Sequence, residues 1–354
     1  MKENRKINPI WFKNTYYFVF GLFFIVLLFL FFLDLFIGSV KIPFNEIIKI
    51  LFTQHSEQNE WIIIVFDFRI PKAVTAMLAG AALSVSGLQM QTVFKNPLAG
   101  PYVLGISAGA SFGVAILMLG FSSLPFITQI STLGNWAIVI AAWIGSSLIL
   151  FLILSVSMRV KDIMTILILG IMFGSATTAI VTILQYFSSE SMLKAFMVWT
   201  MGNLGSVSHA QLNVLIPCII AGLIISFFSL KTLDTLLLGE NYAKSMGMNV
   251  KLSRFLIFFS TSLLAGSITA FCGPIGFIGI AVPHVSRLII KTSSHKYLLP
   301  GTMLIGAVIM LISDIIAQLP GYESTLPVNS VTALLGIPIV IWIIVKDHKI
   351  SSFA

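Results

Sequence analysis

Residues 16–38 read YYFVFGLFFIVLLFLFFLDLFIG, an apolar run broken by one charge, Asp34. Such a run crosses a bilayer as a helix, because about 20 apolar residues at 1.5 Å rise each match the hydrocarbon core. A membrane barrel would show short segments alternating apolar and polar positions instead. Residues 149–158, ILFLILSVSM, are equally continuous. Composition agrees with this reading. The chain is 57% hydrophobic and 10% charged, with a mean hydropathy of +1.01, outside the range of soluble globules.

Working outward from that run, ten spans are expected, at residues 17–37, 71–91, 102–120, 134–157, 163–187, 212–230, 252–272, 276–290, 299–319 and 327–345, the eighth being short. The fold class is an all-α membrane protein of about ten transmembrane helices. With the N-terminus in the cytoplasm, 16 of the 21 basic residues face inward, and only Lys41, Lys49, Arg69, Lys72 and Lys194 face out. Orientation follows this Lys/Arg bias, so both termini are expected inside. The net charge of +8 then reflects orientation, and no nucleic-acid partner is indicated.

The first span is longer than a signal-peptide core and lacks an A-x-A exit, so it is expected to remain as an anchor. No soluble insert or Pro/Ser-rich linker interrupts the chain. Residues 1–354 therefore read as a single transmembrane domain, with the first fourteen residues and the tail SSFA expected to be flexible. Cys218 and Cys272 fall inside spans and read as small core residues. Neither a disulfide framework, a metal site nor a cofactor is indicated.

Ala79-Gly80 and Ser86-Gly87 in the second span are echoed by Ala265-Gly266 and Cys272-Gly273 in the seventh, at the same spacing and each ahead of a Gly/Pro-rich break. Five crossings separate the two, so they run in opposite directions, the signature of an inverted internal repeat. Small residues that merely let helices approach closely would give the same echo.

Residues 236–250, LLLGENYAKSMGMNV, form a water-compatible segment between two spans. Glu240 in a first turn complements the helix dipole, Lys244 stands four residues on for an ion pair, and Gly247 is placed to stop the helix. Leu236, Ala243, Met246 and Val250 make one apolar face; Glu240, Asn241, Lys244 and Ser245 make another. Two readings are open, a helix lying on lipid headgroups or one offered to a protein partner.

Four segments carry a family resemblance. They are FRIPKAVTAMLAGAALSVSGLQMQTVFKNPLAGPYVLGISAGASFG at 68–113, GENYAKSMGMNV from Gly239, GPIGFIGIAVPHVSRLI from Gly273 and ESTLPVNSVTALLGIPIVIWII from Glu323. In this order and spacing the chain resembles the FecCD-type permeases, the membrane subunits of bacterial ABC importers for iron-siderophores, haem and cobalamin. The resemblance covers most of the sequence after residue 65. It implies a homodimer in the plasma (inner) membrane with the substrate path between the copies, cytoplasmic ABC ATPase subunits below and an extracytoplasmic substrate-binding protein above.

The resemblance also makes Gly239 to Val250 the coupling helix that seats in the ATPase, with Gly239, Glu240, Ala243, Lys244, Met246 and Gly247 as the coupling residues. No G-x-x-x-x-G-K-[ST] occurs, so the chain is not itself an ATPase and ATP hydrolysis is expected in a separate subunit. In FRIPK, Arg69 and Lys72 read either as interfacial snorkelling residues or, by resemblance, as the docking point for carboxylates of the binding protein. Lys72 stands where the family usually has Arg, which removes a bidentate grip.

Ser175, Thr178, Thr182 and Gln185 fall on one face of the fifth span, beside Gly170 and Gly174. Polar groups in hydrocarbon must be paired, so this stripe faces neighbouring helices or a wet substrate path. Hydroxyls bonding their own helix explain the Ser and Thr positions but not Gln185. The resembled family puts this helix beside the path.

Gly105-Ile106-Ser107-Ala108-Gly109 spells G-x-S-x-G, but a nucleophile elbow needs a strand-turn-helix context and His and acid partners. Asp34 and Asp314 are expected near the outer ends of their spans, where they reach water, and His284 is expected to be structural. Two rival classes remain, an ion-gradient carrier suggested by the repeat alone and an intramembrane hydrolase built on Ser107.

Overall fold

The computed structural model describes residues 9–38, 40–53, 55–56, 58–120, 135–157, 159–160, 162–318 and 325–346. Among these, fifteen α-helices and no strands are found. They are α1 (Pro9–Phe36), α2 (Phe44–Thr53), α3 (Asn59–Ile63), α4 (Ile70–Phe94), α5 (Ile106–Ala115), α6 (Asn135–Ser157), α7 (Ile163–Phe187) and α8 (Glu190–Thr200). There follow α9 (His209–Phe228), α10 (Leu230–Leu237), α11 (Glu240–Ser245), α12 (Val250–Cys272), α13 (Ile278–Ile290), α14 (His295–Ala317) and α15 (Val328–Lys346).

Six of these helices, α1, α6, α7, α9, α12 and α14, are long and apolar enough to cross a membrane. Three shorter apolar helices, α5 with its π-helical extension Ile116–Gly120, α13 and α15, lie where further spans are expected. The tenth is α4, 25 residues long and buried without a break from Ala79 to Phe94. Each of the ten expected spans therefore has a helix at its place among the described residues. Helix α1 starts at Pro9, inside the fourteen-residue stretch expected to be flexible; residues 1–8 and the tail SSFA lie outside the described residues.

Helix α4 can sit at the centre because the faces it turns to its neighbours are small. At Gly80 an added Cβ would meet the Gly306 carbonyl of α14, and at Gly87 it would meet the Gly279 carbonyl of α13. Backbones in direct contact gain dispersion energy that larger side chains would prevent. Polar groups at this depth are paired across helices. Gln89 Nε2 donates to Ser226 Oγ at 3.0 Å and Thr261 Oγ1 donates to Gln89 Oε1 at 3.0 Å, tying α4 to α9 and α12.

The inverted repeat is visible in which helices touch. Helix α4 packs on α14 and α13; its counterpart α12 packs on α6 and α5. Likewise α5 with α6 and α7 matches α13 with α14 and α15. The glycine echo is shifted by about one motif. Gly87 lies seven residues before the end of α4 and Gly266 six before the end of α12, so these two correspond in position, while Gly273 is a loop residue with φ +74°.

Candidate functional site

Helices α10 and α11 close one end of the bundle. Gly239, at φ +112°, breaks the chain before α11, and Gly247, at φ +80°, ends it. The stop is a Schellman motif, with Gly247 N donating to Lys244 O at 3.0 Å and Met248 N to Ala243 O at 3.0 Å. Both positions need a left-handed or extended positive-φ conformation that side chains rarely adopt.

Two expectations for α11 are corrected. Glu240 does not pair with Lys244; it accepts a hydrogen bond from buried Arg254 on α12, which fixes the short helix to the bundle. Met246 does not share a face with Leu236, Ala243 and Val250. Those three are buried, whereas Met246 is 62% exposed and Tyr242 51% exposed, because the chain leaves helical geometry at residue 246. The outward crest is thus Tyr242 and Met246, and Ala243 points into the protein.

At the same end, Asp162 caps α7 by accepting from Thr165 Oγ1 at 2.7 Å and Thr165 N at 2.9 Å. These hydrogen bonds hold its carboxyl below the ordinary range.

Along α7, Ser175, Thr178 and Thr182 are exposed and Gln185 is half-buried. Their hydroxyls donate to the carbonyls of Ile171, Gly174 and Thr178, at 3.0, 2.9 and 3.0 Å. Each hydroxyl has one proton, so what it turns outward is its lone pairs. A cleft of about 410 Å³ opens beside Ser175 and Thr178, floored by Gly105, Gly170 and Gly174. Exposed Ile180 and Ile183 lie on the same helix, so most of α7 is uncovered in a single copy.

The opposite end holds Arg69 and Lys72, and here the structure departs furthest from expectation. Arg69 is 7% exposed; its guanidinium donates to the carbonyls of Leu35 at 2.7 Å and Val40 at 2.5 Å, clamping the chain where it leaves α1. A guanidinium used in this way is not offered to a docking partner. Lys72 pairs with Asp314 at 3.1 Å. Gln318 Nε2 donates to Asp34 at 2.7 Å and to Asp314 at 3.1 Å. Asp34 and Asp314 therefore do not reach water: they are 2% and 0% exposed, held with Lys72 and Gln318 in one cluster joining α1, α4 and α14. A cavity of about 530 Å³ adjoins Lys72, Asp314 and Gln318.

The remaining motifs find structural uses. Ser107 sits in the first turn of α5, with Gly105 at φ +68° and Gly109 against Gly145, and no strand precedes it. His284 Nε2 lies 2.8 Å from Pro97 O. Cys218 and Cys272 are free thiols, and no cluster of metal-ligating side chains occurs among the described residues.

Sequence and fold comparisons agree with this arrangement. Residues 26–346 match the FecCD transport family. The chain is 36% identical over 288 residues to the vitamin B12 import system permease protein BtuC of Salmonella typhi, covering 81% of this chain and 85% of that one. It is 35% identical to the protein of the same name from Citrobacter koseri, covering 81% and 84%.

A metal-chelate type ABC transporter solved in an inward-facing conformation superposes with a TM-score of 0.79 at 26% identity, over 93% of this chain and 99% of that one. PsaBC from Streptococcus pneumoniae shares the fold more loosely, with a TM-score of 0.52 at 17% identity over 79% and 92%. With helices at all ten expected spans, an inverted repeat and a family match that spans nearly all of the described residues, the chain belongs to the FecCD transport family.

Proposed function

We propose that this protein is the membrane-spanning permease of an ABC importer for metal-centred chelates such as cobalamin, haem or a ferric siderophore. It works as a homodimer in a bacterial plasma membrane, with both termini and α11 on the cytoplasmic side. Separate ATPase subunits seat against α11, and a substrate-binding protein delivers the chelate at the α2 end. The observation that carries this reading is α11 itself, an exposed apolar crest pinned by Arg254 between two positive-φ glycines. A six-residue helix tied to α12 by that contact passes a push on its crest to the bundle.

ATP binding and hydrolysis shift the balance between outward-open and inward-open forms because the ATPase binds the two forms unequally. The second copy covers the open face of α7. Between the copies, Ser175, Thr178, Thr182 and Gln185 form the path wall. A wall whose hydroxyl protons are already used on its own backbone has few donors to offer and makes few specific contacts. Selection then rests with the binding protein, and the permease itself carries no enzymatic activity.

Two outcomes are expected. Affinity capture with the purified complex should retrieve an extracytoplasmic binding protein carrying a cobalt or iron chelate; a captured protein carrying a metal-free amino acid or sugar would refute the substrate class. Single cysteines at Ser175, Thr178 and Thr182, in a chain lacking Cys218 and Cys272, should react with charged thiol reagents and change reactivity when nucleotide is trapped in the ATPase. Equal, nucleotide-insensitive labelling at Ile180 and Ile183 would remove the path assignment.

A further inference from the structure

Asp234 on α10, His295 at the start of α14 and Thr92 in the last turn of α4 form a continuous hydrogen-bonded chain. Asp234 Oδ1 accepts from His295 N at 2.8 Å and lies 2.7 Å from His295 Nδ1. His295 Nε2 is 2.9 Å from Thr92 Oγ1. His295 is 1% and Thr92 2% exposed, so water does not compete for the bond between them, while the Asp234 side chain is 39% exposed and meets water at its other face. One carboxylate oxygen thereby caps the N-terminus of α14, orients the imidazole and, through it, reaches the helix at the centre of the bundle.

The proton count gives this chain two arrangements. Thr92 Oγ1 has one proton and two neighbours, Leu88 O at 2.9 Å and His295 Nε2. If the hydroxyl donates to Leu88 O, Nε2 must donate to it, and the imidazole is doubly protonated beside the Asp234 carboxylate. If the hydroxyl donates to Nε2, the imidazole is neutral and Leu88 O loses that bond. The two arrangements differ by one proton, which is exchanged with water by way of the Asp234 carboxylate, 39% exposed; a displacement of α10 that moves this carboxylate selects between discrete bonding states, as a transmission element requires.

We propose that Asp234, His295 and Thr92 are the positioning residues that carry movement of α10 and α11 to α4 and α14. Asp234 lies only five residues before Gly239 in sequence, so a push on the α11 crest arrives at Asp234 almost directly. α4 and α14 pack face to face through Gly80 and Gly306, so the two helices that receive the push move together. This inference rests on the reading of α11 as the ATPase docking element.

The test uses the complete permease–ATPase complex in proteoliposomes, reading substrate transported per ATP hydrolysed. Asp234→Ala should lower that ratio about tenfold, within the usual range for coupling between sites, while the ATPase still copurifies and hydrolyses ATP. Thr92→Val, which keeps the side-chain shape but removes the hydroxyl, should lower it in the same direction, and Thr92→Ser should restore it. Wild-type transport per ATP in both assembled variants would overturn the proposal, as would loss of ATPase association in both, which is the mark of a merely structural network. Failure of the docking reading looks different: wild type itself then retains no ATPase, and the proposal falls with it.

Discussion

Lys72→Met is expected to destabilise the protein by about 3–5 kcal/mol, the usual cost of stripping one partner from a buried ion pair. The ammonium at 3.1 Å is the cation paired with Asp314, and Gln318 binds Asp34 and Asp314 together, so the buried Asp314 carboxylate loses its cation. Arg69 cannot substitute, since its guanidinium is bound to the carbonyls of Leu35 and Val40. The measurement is the unfolding midpoint in mixed micelles. A second variant separates charge from packing: Lys72→Met combined with Asp314→Asn should regain a substantial part of the loss, because removing both charges avoids the unpaired carboxylate. An unchanged midpoint in the single variant would mean the cluster is open to water.

The other large effect is functional. Tyr242→Asp with Met246→Asp should abolish retention of the ATPase by the detergent-solubilised permease and with it all ATP-driven uptake. Both side chains point away from the protein, so the variant is expected to fold and insert normally. In a packed docking cleft, two unpaired charges together weaken binding by roughly a thousandfold or more, given 2–5 kcal/mol for a charge left buried at an interface. Ala243→Asp would not test the same point, since Ala243 is 0% exposed and a charge there disrupts the seat of α11 on α10 and α12. Normal ATPase retention in the double variant would remove the docking assignment.

The spans were legible in the sequence because each is a local property, a run of apolar residues of sufficient length. Even α4, with Pro71, Lys72 and two glutamines, was found from its flanks. Helix α8 was not, since Glu190 and Lys194 in an eleven-residue helix leave no hydropathy signal. Pairings across the bundle were the least legible. Glu240 has Lys244 at ideal local spacing, yet Arg254 takes it, because burial strengthens the longer-range partner while Lys244 stays in water.

Similarly, the sequence puts Asp34, Arg69, Lys72 and Asp314 near the ends of their helices, but not the two acids in contact with the basic residues. Two acids and Lys72 at matching depth in helices that must pack together are the available sign that they find one another, whereas nothing local shows that Arg69 turns to the carbonyls of Leu35 and Val40 instead. For His295, Asp234 and Thr92 no such sign existed: a histidine beside a loop, an acid in a short helix and a threonine among core residues are brought together only by the fold.

The most direct test of the account is uptake of a labelled cobalt- or iron-centred chelate by proteoliposomes holding the permease, its ATPase and the loaded binding protein. The expected result is accumulation that requires hydrolysable ATP, stops with a non-hydrolysable analogue and is unaffected when ionophores collapse the proton and sodium gradients. Uptake that continues without the ATPase and vanishes with the ion gradient would contradict it.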